Sequence, residues 1–120
     1  MTEAEALYEF FNSFGMDAYP TGSVPDDTVF PWMVYESKYN LPFTDPVAIA
    51  VNIYFHTESE ELPNKKVKEI YERIGRGGVH IPYSDGIIWM KCGSPFSISL
   101  VDSNDSTIKQ RQLNIYLEYL

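Results

Sequence analysis

The chain has 120 residues and a formal net charge of −8, with 44% hydrophobic and 15% aromatic residues. The aromatic content excludes a disordered chain, and the acidic balance argues against a dedicated nucleic-acid binder. The length suits one domain that buries roughly two-thirds of its unfolded surface, and no apolar run approaches the ~20 residues of a membrane span.

The N-terminus, MTEAEALYEFF, lacks the basic segment of a secretory signal, and the single Cys92 has no internal partner. Cytosolic synthesis is the simple expectation. Thr2 to Phe14 reads as an amphipathic helix, with capping-box spacing between Thr2 and Glu5. Ala4, Leu7, Phe11 and Phe14 form its apolar stripe, widened by Tyr8 and Phe10, and Gly15 ends it. Met16 to Tyr19 reads as a short strand, and Pro20 to Pro31 as a long loop. Trp32 to Tyr39 is rich in aromatic and β-branched residues, hence a strand, and Asn40 to Pro46 a second loop. Val47 to Phe55 is the clearest strand, with Val47, Ile49, Val51, Ile53 and Phe55 on one face.

A second helix is expected within His56 to Ile74, capped by Ser59 or Thr57, with Val67, Ile70, Tyr71 and Ile74 as its apolar stripe. Lys65, Lys66 and Lys68 face largely outward, and Glu69 and Arg73 have the spacing of an ion pair. The glycines of GRGG, Gly75 to Gly78, follow a helix and precede a strand, the reverse of the order a dinucleotide loop needs, and no Walker sequence occurs. They read as a helix stop, with Gly75 in the left-handed position. Val79 to Tyr83 and Ile87 to Lys91 form a hairpin turned by Asp85 and Gly86. Cys92 to Pro95 reads as a turn, Phe96 to Val101 as a strand, and Asp102 to Ser106 as a polar loop. Ile108 to Leu120 closes the chain as a strand with Leu113, Ile115, Leu117 and Tyr119 on one side. Short loops between consecutive strands favour a mostly antiparallel sheet, and two one-sided helices must lie on it, so the fold class is α+β in a single domain over 1–120.

No constellation for catalysis emerges. His56 and His80 lack a second ligand at metal-binding spacing, and Cys92 lacks a partner of any known pattern. Asp26 and Asp27 are adjacent in a Pro-rich loop, where turn formation outweighs acid–base work. Asp102, Asn104 and Ser106 begin a calcium-loop spacing that fails at Thr107 and Leu113. Neither a cofactor nor a metal is expected.

Two features point to association instead. Tyr19, Phe30, Trp32, Tyr39, Phe43 and Tyr83 lie beside loops, and aromatics beyond what the core takes suit interfaces. Charge is also uneven: residues 1–62 carry eleven acids and one base, residues 63–120 six acids and eight bases. Placement by chance on a solvated surface and two faces of opposite sign both fit this division. On the second reading Lys65, Lys66, Lys68, Arg73 and Arg76 meet Asp26, Asp27, Asp45, Glu58, Glu60 and Glu61 of a neighbour.

The segments LYEFFNSFG, SVPDDTVFPWMVYE, IGRGGVHIPYSDGIIWMKCGSPFSISLVDSND and NIYLEYL resemble the minor capsid, neck or tail-terminator proteins of long-tailed phages and prophages of Gram-positive bacteria. The resemblance spans nearly the whole chain and is most distinctive from Pro82 to Phe96. It implies a non-enzymatic virion assembly protein, made in the host cytoplasm and carried in the neck. It further implies a small α+β fold of the tail-terminator kind that forms a ring, usually a hexamer. Such a ring caps the major tail tube protein, meets a head-side connector or head-closure protein, and lets DNA pass without sequence-specific contact. The candidate functions are a tail terminator, another neck protein, and a soluble ligand-binding or regulatory domain with 20–31 as a lid. The candidate interface comprises Asp26, Asp27, Phe30, Trp32, Phe43, Lys65, Lys66, Lys68 and Arg76.

Overall fold

A computed structural model describes residues 1–38, 40–102 and 104–120. Helix α1 (Glu3–Phe11) starts in the expected capping box: Thr2 Oγ1 accepts from the Glu5 N–H at 3.2 Å, and Glu5 Oε1 accepts from the Thr2 N–H at 3.0 Å. The α-helix stops at Phe11 and tightens into a 3₁₀ turn, Asn12–Phe14, closed by Gly15 at φ 78° and ψ 17°. The buried face is Ala6, Leu7, Phe10, Phe11 and Phe14. Ala4 is exposed, contrary to the expected stripe, and Phe10 takes a core place, its ring edge-on to Phe11 and Phe14 at 5.4 Å each.

Helix α2 (Glu61–Ile74) buries Pro63, Ile70 and Ile74, with Val67 half-buried. Its N-cap is Glu60. Ser59 and Thr57 act one step earlier than expected: Thr57 Oγ1 accepts from the Ser59 N–H and Ser59 Oγ from the Glu61 N–H, both at 3.1 Å. Tyr71 is exposed rather than core, with its ring 5.5 Å from Phe96. Gly75 ends the helix at positive φ (82°) with an extended ψ of 165°, so it leaves the helix without entering the left-handed helical region. At Gly78 (φ 87°) a Cβ would lie 2.6 Å from the Met90 carbonyl, so only glycine lets the chain pass there into the next strand.

Six strands form one sheet in the order β1-β2-β3-β6-β5-β4. They are β1 (Asp17–Pro20), β2 (Trp32–Tyr35), β3 (Val47–His56), β4 (Val79–Tyr83), β5 (Gly86–Val101) and β6 (Ile108–Tyr119). All neighbours are antiparallel except β1 and β2, which run parallel. The connection 21–31 between them is long enough to return the chain to the same end of the sheet. The expected strand 32–39 ends at Tyr35; Tyr39, and Ser103 of the expected loop 102–106, lie outside the described residues.

Cys92 to Pro95 is not a turn. β5 runs through it, with a register shift between Cys92 and Ser97. Asn114 Nδ2 donates to the Pro95 carbonyl at 2.8 Å, and a Cβ at Gly93 would lie 2.8 Å from the Asn114 carbonyl. The segment is a bulge seated on β6. In the β4–β5 hairpin the turn residues are Ser84 and Asp85, one position earlier than expected, and Gly86 opens β5.

One face of the sheet carries Ile49, Val51, Ile53, Phe55, Ile88, Met90, Leu113, Ile115, Leu117 and Tyr119, all buried and packed with the residues of both helices in a single core. Helix α2 lies over β5 and β6, while α1 contacts both edge strands, β1 and β4, so the sheet curls about it. The outer face is left to solvent. There the register aligns Leu100, Gln110, Tyr54 and Trp32 in one row, and Ile98, Gln112, Asn52 and Val34 in the next.

Candidate assembly surface

The interface candidates separate into three places. Asp26, Asp27 and Phe30 occupy the connection 21–31, which begins beside Tyr35 and reaches, at Phe30, the end of the sheet where β3 finishes. Both aspartates are exposed, and the Phe30 ring, 40% exposed, sits 5.6 Å from the His56 ring. Phe43 occupies the opposite end: its N–H donates to the Tyr119 carbonyl at 2.9 Å, while its side chain is 91% exposed. Its backbone adopts φ 66°, a strained conformation for a bulky residue. Trp32 opens β2 close to the Phe30 end, in register with Tyr54. It is half-buried on the outer face and stacks on Tyr54 at 4.5 Å.

The third place is α2 and the turn after it. Lys65, Lys68 and Arg76 are exposed. Lys66 is not an outward cation. It is half-buried, and its Nζ donates to the Phe14 carbonyl at 2.8 Å and meets Glu69 at 3.2 Å. It ties α2 to the 3₁₀ turn after α1. Glu69 thus pairs with Lys66, and Arg73 instead lies over the Phe10 and Phe14 rings at 5.7 and 5.6 Å, a cation–π arrangement. Lys68 pairs with Glu72 at 3.9 Å. The helix surface is therefore mixed in sign, with Lys65 and Arg76 outside every ion pair among the described residues.

Several features carried no sequence signal. Leu41 (72% exposed), Met1, Ile87 and Leu120 are exposed at the Phe43 end, where backbone bonds tie their segments together: Leu120 N–H to the Ile87 carbonyl at 2.9 Å and Ser84 N–H to the Met1 carbonyl at 2.7 Å. Val29, 69% exposed, joins Phe30 at the other end. These residues look like ordinary loop or core residues in sequence; only the topology brings each group together. Two cations also lie on the core face of β6. Lys109 is buried and donates to the Ser106 carbonyl. Arg111 is 3% exposed, and its guanidinium meets Glu60, Asn64 Oδ1 at 3.2 Å and the Gln110 carbonyl at 3.3 Å. The hydrogen bond from Arg111 holds the Glu60 carboxyl below its usual range.

An open groove of about 950 Å³ runs between α1 and the start of loop 21–31, lined by Leu7, Tyr8, Pro20, Thr21, Ser23 and Tyr35. Cys92 is half-buried and burial pushes its thiol up, which keeps it a weak nucleophile. His80 packs edge-on against Trp89 at 5.6 Å. Among the described residues no three His, Cys, Asp or Glu side chains gather where a metal could bind, and no helix is long and apolar enough to cross a membrane. Comparison with protein-family models, curated proteins and solved structures returns no match to this chain.

Proposed function

We propose that the chain is a non-enzymatic structural protein of the head–tail neck of a long-tailed phage or prophage, made in the bacterial cytoplasm and carried in the virion. In this reading it is a tail terminator. A ring of copies, six by the resemblance, caps the tail tube, offers its other side to a head-side connector, and lets DNA through its lumen. It uses no cofactor.

The observation that supports the reading best is the two-ended placement of exposed apolar side chains. Val29 and Phe30 stand at one end of the strands, and Leu41 and Phe43 at the other. Apolar groups of this size in water suit docking, and a protein joining a tube to a connector needs a docking surface at each end. The distinctive segment Pro82 to Phe96 lies in the β4–β5 hairpin and the bulge, so it acts as a fold device rather than as a site.

Aspartate at Phe43 and, separately, at Phe30 tests this. One variant should lose binding to tail tubes of the same genome and the other to the head-side protein, each keeping the wild-type unfolding midpoint. Wild-type binding by both would contradict the two-ended reading. The groove beside α1 favours a second reading, a ligand-binding domain with 21–31 as its lid. That reading predicts that a small ligand shields loop 21–31 from protease in the isolated chain. The neck reading predicts that cleavage there, and at 40–46, falls only on assembly.

A further inference from the structure

A sheet edge offers unpaired N–H and C=O groups, and natural chains guard such edges with proline, charge, a bulge or a cover. Among the described residues this sheet has four stretches of edge, and three are guarded. Along the part of β3 that β2 does not reach, Glu36 bonds both backbone groups of Ala50, its N–H to the carbonyl and its carboxylate to the N–H, and Lys38 Nζ donates to the Ala48 carbonyl at 2.8 Å. At β1, both backbone groups of Ala18 are held by the Asn12 amide, and Pro20 has no N–H to offer. At β4, Pro82 likewise offers no donor, and the Ser84 N–H just beyond is bonded to the Met1 carbonyl. The last stretch is the half of β5 that β4 does not reach, since β4 pairs only with Gly86–Met90. Its first part is broken by the bulge and Pro95. From Ser97 to Val101 the strand is regular, bonded to β6 on one side, and free of both proline and charge. Ile98, Leu100 and Val101 are 40%, 38% and 63% exposed.

We propose that Ser97–Val101 pairs antiparallel with the same segment of a second copy, about a two-fold axis at Ser99, so that two six-stranded sheets join into one. The segment suits itself. This register sets Ile98 opposite Leu100 of the second copy, and Leu100 opposite its Ile98, on the outer face. Ser99 meets Ser99, Ser97 meets Val101, and no charge faces a charge. Because β1, β4 and the first half of β3 each carry guards that this segment lacks, its match is its own copy, and such a contact is isologous and closes at two. It is independent of the neck reading, whose ring needs a heterologous contact.

The test uses the full chain in three forms: wild type, Ile98→Lys/Leu100→Lys and Ile98→Glu/Leu100→Glu. These side chains face outward, and thermal unfolding checks that each variant keeps its fold. Sedimentation should show a concentration-dependent wild-type dimer, and hydrogen exchange should slow at the backbone of 97–101 as the dimer forms. Either variant alone should dimerise at least about ten-fold more weakly, because like charges then lie opposite each other twice. An equimolar mixture of the two should restore the dimer. Wild type whose 97–101 amides exchange equally at low and high concentration overturns the proposal, whether or not the variants fold. So does a lysine variant that dimerises like wild type.

Discussion

Asn12 and Ala18 meet through two hydrogen bonds: Asn12 Nδ2 donates to the Ala18 carbonyl at 3.1 Å, and Asn12 Oδ1 accepts from the Ala18 N–H at 3.0 Å. One side-chain amide thus takes the place of a neighbouring strand along β1. The same Nδ2 donates to the Tyr8 carbonyl at 2.9 Å, which joins the last turn of α1 to the sheet edge. Asn12→Ala leaves both Ala18 groups without these partners and should cost about 1–3 kcal/mol. Chemical unfolding should show a lower midpoint with an unchanged slope. A loss below about 0.5 kcal/mol would mean that water replaces the amide fully.

Phe11 is 1% exposed and stacks on Tyr35 at 4.5 Å, joining α1 to β2. Phe11→Ala should cost about 3–5 kcal/mol, because lost burial and the residual cavity add. Tyr8, on the same helix, is 51% exposed, and Tyr8→Ala should fall within about 0.5 kcal/mol of wild type. Equal losses at the two positions in chemical unfolding would contradict the assigned helix face.

Much of this was legible in the sequence, for identifiable reasons. The alternations of β3 and β6, the capping box at Thr2 and the stop at Gly15 are local signals, and local signals survive folding. Four features were not legible. The run Cys92 to Pro95 has turn composition, yet Asn114 from another strand holds it flat as a bulge. Arg111 and Lys109 break the apolar alternation of β6, and only the approach of α2 through Glu60 and Asn64 explains a cation facing inward. Lys66 has the look of a solvated helix residue until the Phe14 carbonyl is placed beside it. The exposed ends of the sheet, with Phe43 and Leu41 near Leu120 and Ile87, depend on strand order, which no local pattern encodes.

The Glu60–Arg111 pair is unequal, and its mutants should be too. Side-chain exposure is 52% at Glu60 and 4% at Arg111. Glu60→Ala leaves a buried guanidinium with weaker partners, whereas Arg111→Met keeps the packed stem and releases Glu60 to water. Glu60→Ala should therefore destabilise more than Arg111→Met. Acidity tests the same pair. The folded Glu60 carboxyl lies below its ordinary value of 4.5, so its stabilisation is present above that value and is lost as pH falls through the folded one. Glu3 works in reverse. Burial raises its carboxyl although Tyr119 donates to it at 2.7 Å, so acidification relieves a penalty. Unfolding curves between neutral pH and pH ~3 should show Glu60→Gln flattening the acid loss and Glu3→Gln steepening it. Parallel curves for the two variants would contradict both assignments.

Surface charge bears on association. Reversing Lys65, Lys66 and Lys68 together would disturb the fold through Lys66, so the informative variant is Lys65→Glu/Lys68→Glu/Arg76→Glu, at three exposed positions. Exposed pairs contribute only about 0–1 kcal/mol each, so the unfolding midpoint should barely move while assembly weakens, most strongly at low salt. Light scattering that shows the same assembly at low and high salt would remove this helix from the interface.

Electron microscopy of tail tubes built from the tube protein of the same genome, with and without this chain, shows directly whether the chain caps a tube. The neck reading predicts a closed ring of copies seated at one end of each tube when the chain is added, and bare ends otherwise. Tube ends that stay bare while the chain remains monomeric beside them would contradict it.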